Sequence, residues 1–361
     1  MLAMGSPVLS HLDPEMLRIL DEIRERLGRT FRADDGAFSF AMSGTGTSGM
    51  ETAVANVTKP GARVLVVVTG YFGDRLAQIF ERYGAEVRRV DVEWGRSCDP
   101  AQVERALADA PADIVAVVHA ETSTGVVNPV KEIVALAHAS GALTVVDAVT
   151  SLGAVPLDVA GWKIDVCYSC SQKGLGAPSG LAPVTFSPRA LEKLVPSRSF
   201  YFDLALLQDY WLRRKYHHTL SAPLMFALHE ALAAVEEEGL EKRWARHQGH
   251  HRALAAGLES LGLSLLPAPA DRLWTLNAVR VPEGVDEAAV RRALLDEFSI
   301  EIGAGLGPLA GKIWRVGLMG SGATLSNVLL FLSAFSRCVA KAGYKVPSDG
   351  AARAASTAEK G

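Results

Sequence analysis

The segment Tyr168-Ser169-Cys170-Ser171-Gln172-Lys173-Gly174 carries a lysine out of an apolar run into a glycine-rich turn. Upstream, Leu143-Thr144-Val145-Val146-Asp147 reads as a strand buried on both faces that delivers a carboxylate at its C-terminal edge. An amine and a buried acid at successive strand ends are what pyridoxal phosphate (PLP) chemistry requires. The lysine forms a Schiff base with the cofactor aldehyde, and the acid keeps the pyridine nitrogen protonated so that the ring accepts electrons from a carbanion. Taken alone, each residue also has a structural reading: a surface lysine after a strand, and an aspartate capping the next helix.

Gly44-Thr45-Gly46-Thr47-Ser48-Gly49 matches G-x-G-x-x-G, which also opens dinucleotide-binding folds. In that case an acid should close the next strand to hold a ribose, but the strand ends at Val68-Thr69-Gly70 without one. Free backbone N–H groups at a helix N-terminus, with the hydroxyls of Thr45, Thr47 and Ser48, suit a single phosphate instead. A dinucleotide-binding oxidoreductase is the competing reading from another functional class, and a glycine loop that only turns a strand into a helix is the structural one.

These residues need a scaffold that brings them to one edge. Apolar runs alternate with helical patterns over residues 35 to 190: strands at Phe38 to Met42, Arg63 to Thr69 and Ile114 to His119, helices at Glu51 to Val57, Arg75 to Tyr83 and Pro129 to Ala139. Such alternation predicts an α/β fold with a mostly parallel sheet and helices on both faces. Ligands then gather at the carboxyl ends of the strands, where the small polar clusters fall. Residues 200 to 240 read as helical, interrupted at Tyr216-His217-His218-Thr219 before Pro223. The pattern predicts a large domain over 1–240 and a smaller α+β domain over 241–345. Residues 346–361, rich in Ala, Ser and Gly, read as a disordered tail.

Composition narrows the class. At 361 residues the chain exceeds one typical domain, and its net charge of -3 offers no polybasic face for nucleic acid or anionic lipid. No apolar run approaches membrane-spanning length and no secretory signal opens the chain, so a cytoplasmic protein is expected. Cys167 and Cys170 form a C-x-x-C, but strand periodicity sends them to opposite faces and no helix follows Cys167 to lower its pKa. His247, His250 and His251, beside Arg243 and Arg246, read as a solvated helix face without the acidic or thiol partners of a metal site. No metal is expected.

Several motifs run in a fixed order: Ser43-Gly44-Thr45-Gly46-Thr47, Glu121-Thr122-Ser123-Thr124-Gly125, Asp147-Ala148-Val149-Thr150-Ser151-Leu152-Gly153, Ser171-Gln172-Lys173, Tyr216-His217-His218-Thr219 and Arg315-Val316-Gly317-Leu318-Met319-Gly320. On these the chain resembles the class V aminotransferases of PLP fold type I, most closely the alanine–glyoxylate (serine–pyruvate) type. The resemblance implies PLP as cofactor and transfer of an amino group from alanine or serine to glyoxylate or pyruvate. It implies that Lys173 carries the Schiff base and then shuttles a proton, and that Asp147 pairs with the pyridinium nitrogen. Val149 and Phe72 would flank the ring; family members often carry Trp in place of Phe72. Thr122 would bond near the ring oxygen, while Thr45, Gly46, Thr47 and Gln172 hold the phosphate. Tyr216 and Thr219 would reach the phosphate of the neighbouring subunit of a homodimer, and Arg315 would clamp the substrate carboxylate.

Relatives place a Gly-Pro-Gly-Pro arm ahead of the first helix, whereas this sequence opens at Met1-Leu2-Ala3-Met4-Gly5, so that arm is expected to be missing, through a late start codon or a lost dimer contact. Within the fold, the alternatives are another amino donor or a desulfurase or lyase reaction. Desulfurases typically carry His before the lysine and a mobile catalytic cysteine, where this chain has Gln172 and no cysteine between Arg315 and Cys338.

Overall fold

The computed structural model describes residues 2–359. Helix α1 (Pro14–Phe31) starts at Asp13, whose carboxylate accepts the Glu15 N–H at 2.8 Å, with Pro14 in its first turn. Its buried stripe of Met16, Leu20, Ile23, Leu27 and Phe31 has helical spacing, so burial of one face holds it in place. Alternation follows: β1 (Phe38–Ser43), α2 (Gly46–Val57), β2 (Arg63–Val68), α3 (Tyr71–Arg82), β3 (Glu86–Asp91), α4 (Pro100–Asp109) and β4 (Ile114–Val118). A short hairpin, β5 (Ala120–Glu121) and β6 (Val126–Val127), precedes α5 (Val130–Ala139), β7 (Leu143–Asp147), β8 (Val166–Tyr168) and β9 (Leu181–Phe186). Helices α6 (Pro188–Glu192), α7 (Leu204–Arg213), α8 (Ala222–Glu238) and α9 (Leu240–Ser260) lead into the second half. There β10 (Leu276–Arg280), α10 (Glu287–Phe298), β11 (Gly303–Ala304), β12 (Ile313–Gly317), α11 (Leu325–Lys341) and α12 (Gly350–Ala358) complete the chain.

The main sheet has seven strands in the order β1-β9-β8-β7-β4-β2-β3. Only β9 runs against its neighbours, so the other strands all point the same way and end at one edge. The expected mostly parallel α/β sheet is present. β4 and β7 are buried along their whole length, which their unbroken aliphatic runs require. β9 was not legible in sequence, because Pro183 argues against a central strand. The sheet accommodates it through the Pro183 carbonyl, which accepts the Ser169 N–H at 2.8 Å.

One hydrophobic core runs from Met16 to Val235 around this sheet, and a second, from Ala253 to Ala354, backs the three-stranded antiparallel sheet β10-β12-β11. Among the described residues no helix is long and apolar enough to cross a membrane.

Two expectations are corrected here. The supposed tail is helical over Gly350–Ala358, started by Asp349, which accepts the Ala351 and Ala352 N–H groups at 2.9 and 3.1 Å. Low apolar content misleads because packing here works by close backbone approach: a Cβ on Gly257 of α9 would stand 2.8 Å from the Gly350 carbonyl oxygen. Lys360 and Gly361 lie outside the described residues. The histidine cluster is not a solvated face either, since His247, His251 and Arg243 are all buried. A helix serving two neighbours has no outer face at these turns: Arg243 reaches the lysine turn of the large domain and His251 bonds to Asn277 of β10.

Ala354 is fully buried in the second core. Ala354→Asp would force an unpartnered carboxylate into it and should cost on the order of 2 kcal/mol or more, read as a lower melting temperature. An unchanged melting temperature would mean that α12 does not dock.

Candidate active site

The common edge of the sheet opens onto a cavity of about 300 Å³. Asp147, Lys173 and Gln172 line it from β7 and the turn after β8; Thr45, Gly46 and Thr47 from the start of α2; Phe72 from α3; and Thr122, Val149 and Arg315 complete it. Tyr216 and Thr219 do not line it. They lie in an exposed segment after α7, their hydroxyls 3.3 Å apart, while the neighbouring His218 ring is anchored to the Ser43 hydroxyl at 2.8 Å.

Asp147 ends β7 and is 3% exposed. Its Oδ1 accepts the Val149 N–H at 2.8 Å. Burial pushes its pKa up to about 7, and the single backbone N–H only partly offsets that. The Tyr168 hydroxyl and the Arg75 charge also favour the ionised form without undoing the effect of burial, so the carboxyl is poised for a positively charged N–H ligand. Lys173 stands in a turn closed by the Ala177 N–H to the Ser171 carbonyl at 2.9 Å and by the Ser171 hydroxyl to the Pro178 carbonyl at 2.6 Å. It has no ion pair among the described residues.

Thr45 is the N-cap of α2, yet its side chain makes no capping bond. The first N–H groups of this twelve-residue helix therefore face the cavity beside the Thr45 and Thr47 hydroxyls, a ready anion site. Ser48, expected to join them, instead donates its hydroxyl to the Thr45 carbonyl at 2.6 Å. The Gln172 amide lines the same end, and its buried Oε1 has no hydrogen-bond partner among the described residues.

Arg315 projects from β12 of the three-stranded sheet. Its Nε donates to the Ala304 carbonyl at 2.6 Å and its Nη1 to the Thr122 carbonyl at 3.4 Å, which aims the guanidinium at the cavity. Burial lowers its pKa and the charge of Glu121 opposes that.

Two residues of the site escaped sequence reasoning. Glu121 is fully buried and takes the Phe72 and Gly73 N–H groups on Oε2, both at 3.1 Å, and the Ser123 N–H and hydroxyl on Oε1 at 3.0 and 2.6 Å. It caps α3 and so fixes Phe72. Gly70 is required there, since any Cβ would collide with Glu121 and Ser123. The available signal was an acid two residues beyond a buried strand. Arg75 lines the cavity, contacts the Thr47 hydroxyl at 3.3 Å, lies 5.2 Å from the ring centres of Tyr71 and Phe72, and has no carboxylate partner among the described residues. Its signal was only its place one turn after Phe72.

The Aminotransferase class-V family profile matches residues 3–313. The chain belongs to the class-V aminotransferases. An alanine–glyoxylate aminotransferase of Drosophila melanogaster is 36% identical over 96% of this chain and 90% of its own length. The crystal structure of ureidoglycine–glyoxylate aminotransferase from Bacillus subtilis superposes with a TM-score of 0.96 at 38% identity, covering 99% of this chain and 94% of that one. That of an alanine–glyoxylate aminotransferase from Nostoc sp. gives 0.91 at 44%, covering 93% and 90%. Class-V aminotransferases use PLP on the type I fold, and the residues present fit that cofactor: a poised carboxylate, a free lysine and an uncommitted anion site share one cavity. Cys167 and Cys170 are buried, and burial pushes the Cys170 thiol up to about 12, far from a reactive thiolate.

In cofactor-free protein, Asp147 keeps its proton in the fold up to about pH 7 but releases it near 3.8 once unfolded. Its contribution to stability is thus full below about pH 4 and is lost as pH rises to about 7. The melting temperature of wild type relative to Asp147→Asn should therefore fall across that window. A difference independent of pH would mean that this carboxylate is not desolvated.

Proposed function

We propose that the protein is a transaminase that moves an amino group from a small donor, alanine or serine, to glyoxylate or pyruvate. The observation that carries this reading is the cavity itself, which sets Lys173, Asp147 and Arg315 around a space suited to a small substrate beside the cofactor. The names of the relatives support glyoxylate as the shared acceptor. The Bacillus relative is named for ureidoglycine, so a ureido donor is the second reading.

When bound, PLP supplies an aldehyde that captures amines and a ring that draws electrons from the substrate Cα. The chain supplies the rest. Lys173 Nζ would hold the cofactor and, once the donor amine displaced it, would carry the proton from the substrate Cα to the cofactor's aldehyde carbon. Asp147 would keep the ring nitrogen protonated. The α2 N-terminus, Thr45, Thr47 and Gln172 would hold the phosphate, Phe72 and Val149 would pack against the ring, and the Thr122 hydroxyl would bond beside the ring oxygen. Arg315 orients the substrate by its carboxylate in a bidentate grip, leaving the side chain to be selected by the shape of the pocket. Tyr216 and Thr219, which lie outside the cavity of their own chain, complete the phosphate site of a second copy in a homodimer. The exposed rings of Phe200 and Tyr216 support that pairing.

Lys173→Ala should fold and still abolish turnover, while wild type mixed with alanine or serine should lose the cofactor's visible absorbance. Turnover in the variant would sink the role of the lysine. A wild type that responds to ureidoglycine alone would replace the donor. If the phosphate site is completed in trans, the loaded protein sediments as a dimer and Tyr216→Phe weakens PLP retention by about tenfold. A fully loaded, active monomer at nanomolar concentration would refute the shared site.

A further inference from the structure

Lys173 and Arg315 belong to different cores, so their separation is not set by the sheet that holds either one. The geometry points to Arg243, Arg246 and His247 of α9 as a positioning clamp that holds the turn of Lys173 against the loop trailing Arg315 and thereby fixes the amine relative to the guanidinium. The inference rests on the reading of those two residues given above.

Arg243 is 5% exposed, and its Nη2 donates to the carbonyl of Gly174, the residue after the lysine, at 2.7 Å. Its Nη1 meets Glu238 at 2.6 Å. The same carboxylate takes Arg246 Nε at 2.5 Å and Nη2 at 3.0 Å. Arg246 Nη1 then donates to the carbonyls of Gly320 and Ala323 at 3.1 and 2.7 Å. Glu238 therefore pins both guanidinium groups, one facing the lysine turn and one facing the loop that follows β12.

His247 closes the arrangement. Its Nδ1 is 2.7 Å from the Arg243 carbonyl, which can only accept, so Nδ1 carries the proton and Nε2 is free to accept. It takes the Gly320 N–H at 3.1 Å. Gly320 itself lies in the left-handed region at φ 57, and a Cβ there would come within 3.0 Å of the Lys173 carbonyl oxygen and 3.1 Å of the Gly176 Cα. The two loops thus touch backbone to backbone, and one turn of α9 bonds to both.

Burying an arginine is costly without hydrogen-bonded partners, and Arg243 Nε has none among the described residues. Apolar packing would join two domains more cheaply. What the charged cluster adds is direction, because carbonyls and N–H groups are held at fixed positions that a greasy contact would leave free. Proton transfer at Cα depends on that, since a misplacement of about 1 Å can cost about a hundredfold in rate. None of the three residues lines the cavity, so they act through the loops they hold.

The test compares His247→Leu, which removes the acceptor for Gly320, with His247→Gln, whose amide oxygen can replace it. Hydrogen exchange of cofactor-free protein should be faster in the Leu variant across both 171–177 and 317–323. The loaded Leu variant should lose about tenfold to a hundredfold in kcat, with KM for the amino donor changed less than about threefold. His247→Gln should recover most of both. If His247→Leu does not fold, Arg246→Met, at a partly exposed position, should give the same paired loosening. Exchange that rises only in 317–323, a Gln variant as impaired as Leu, or wild-type kcat in a folded Leu variant would each overturn the clamp. Because exchange is read without cofactor or substrate, a wrong assignment of the donor would leave this result intact.

Discussion

Glu121 and Asp147 are both taken out of water at the carboxyl edge of one sheet, and Glu121 is given many more hydrogen-bond donors to offset that burial. It collects backbone N–H groups from the start of α3 and both donors of Ser123, whereas Asp147 has the Val149 N–H, aided by the Tyr168 hydroxyl. Burial raises both acids, and each charge makes the other harder to form. The satisfied carboxylate is structural: it ties the hairpin after β4 to α3 and sets Phe72 at the cavity wall. The less satisfied one faces the cavity, where burial holds its pKa at about 7. Much of the surrounding order, including the glycine at position 70 and the buried strand β7, keeps these two environments apart.

The chemistry was legible in sequence where it depends on residue type and on position along one strand. Lys173 and Asp147 follow apolar runs short enough to be strands, so the parallel sheet and the amine and acid at its edge could be read from the residues, while Phe72, Thr122, Val149 and Arg315 were placed there only by the family resemblance. What escaped depends on partners distant in the chain. Arg243 and His247 look solvated in a polar helix until Gly174 and Gly320 are brought beside them. Glu121 was visible within a polar cluster but not as a cap, because the helix it caps lies some fifty residues earlier. Helix α12 failed a composition test for the same reason. Alanines and glycines bury little area each, but they let α9 and α12 approach closely, and that gain appears only when both helices are present.

The charges lining the cavity show why the two domains must be held together. Arg75, Lys173 and Arg315 face a single acid, Asp147, whose own ionisation is suppressed. An excess of positive charge in a partly dry cavity is unfavourable for the bare protein and favourable for anions, and field lines focused by the apolar walls extend that preference into the entrance. A ligand set with a phosphate at the α2 end and a carboxylate at Arg315 would remove the excess at both ends, and a cationic ring nitrogen beside Asp147 would favour its ionised form. On the proposed roles, one anion would sit at α2 beside the seven-stranded sheet and the other on β12 of the three-stranded sheet, so their spacing would suit a substrate only if the two sheets keep one relative placement. A hydrophobic seam would tolerate sliding of the domains. Directed hydrogen bonds from α9 to the backbone on either side do not, and in this fold the polar helix that looked like surface is where that spacing is set.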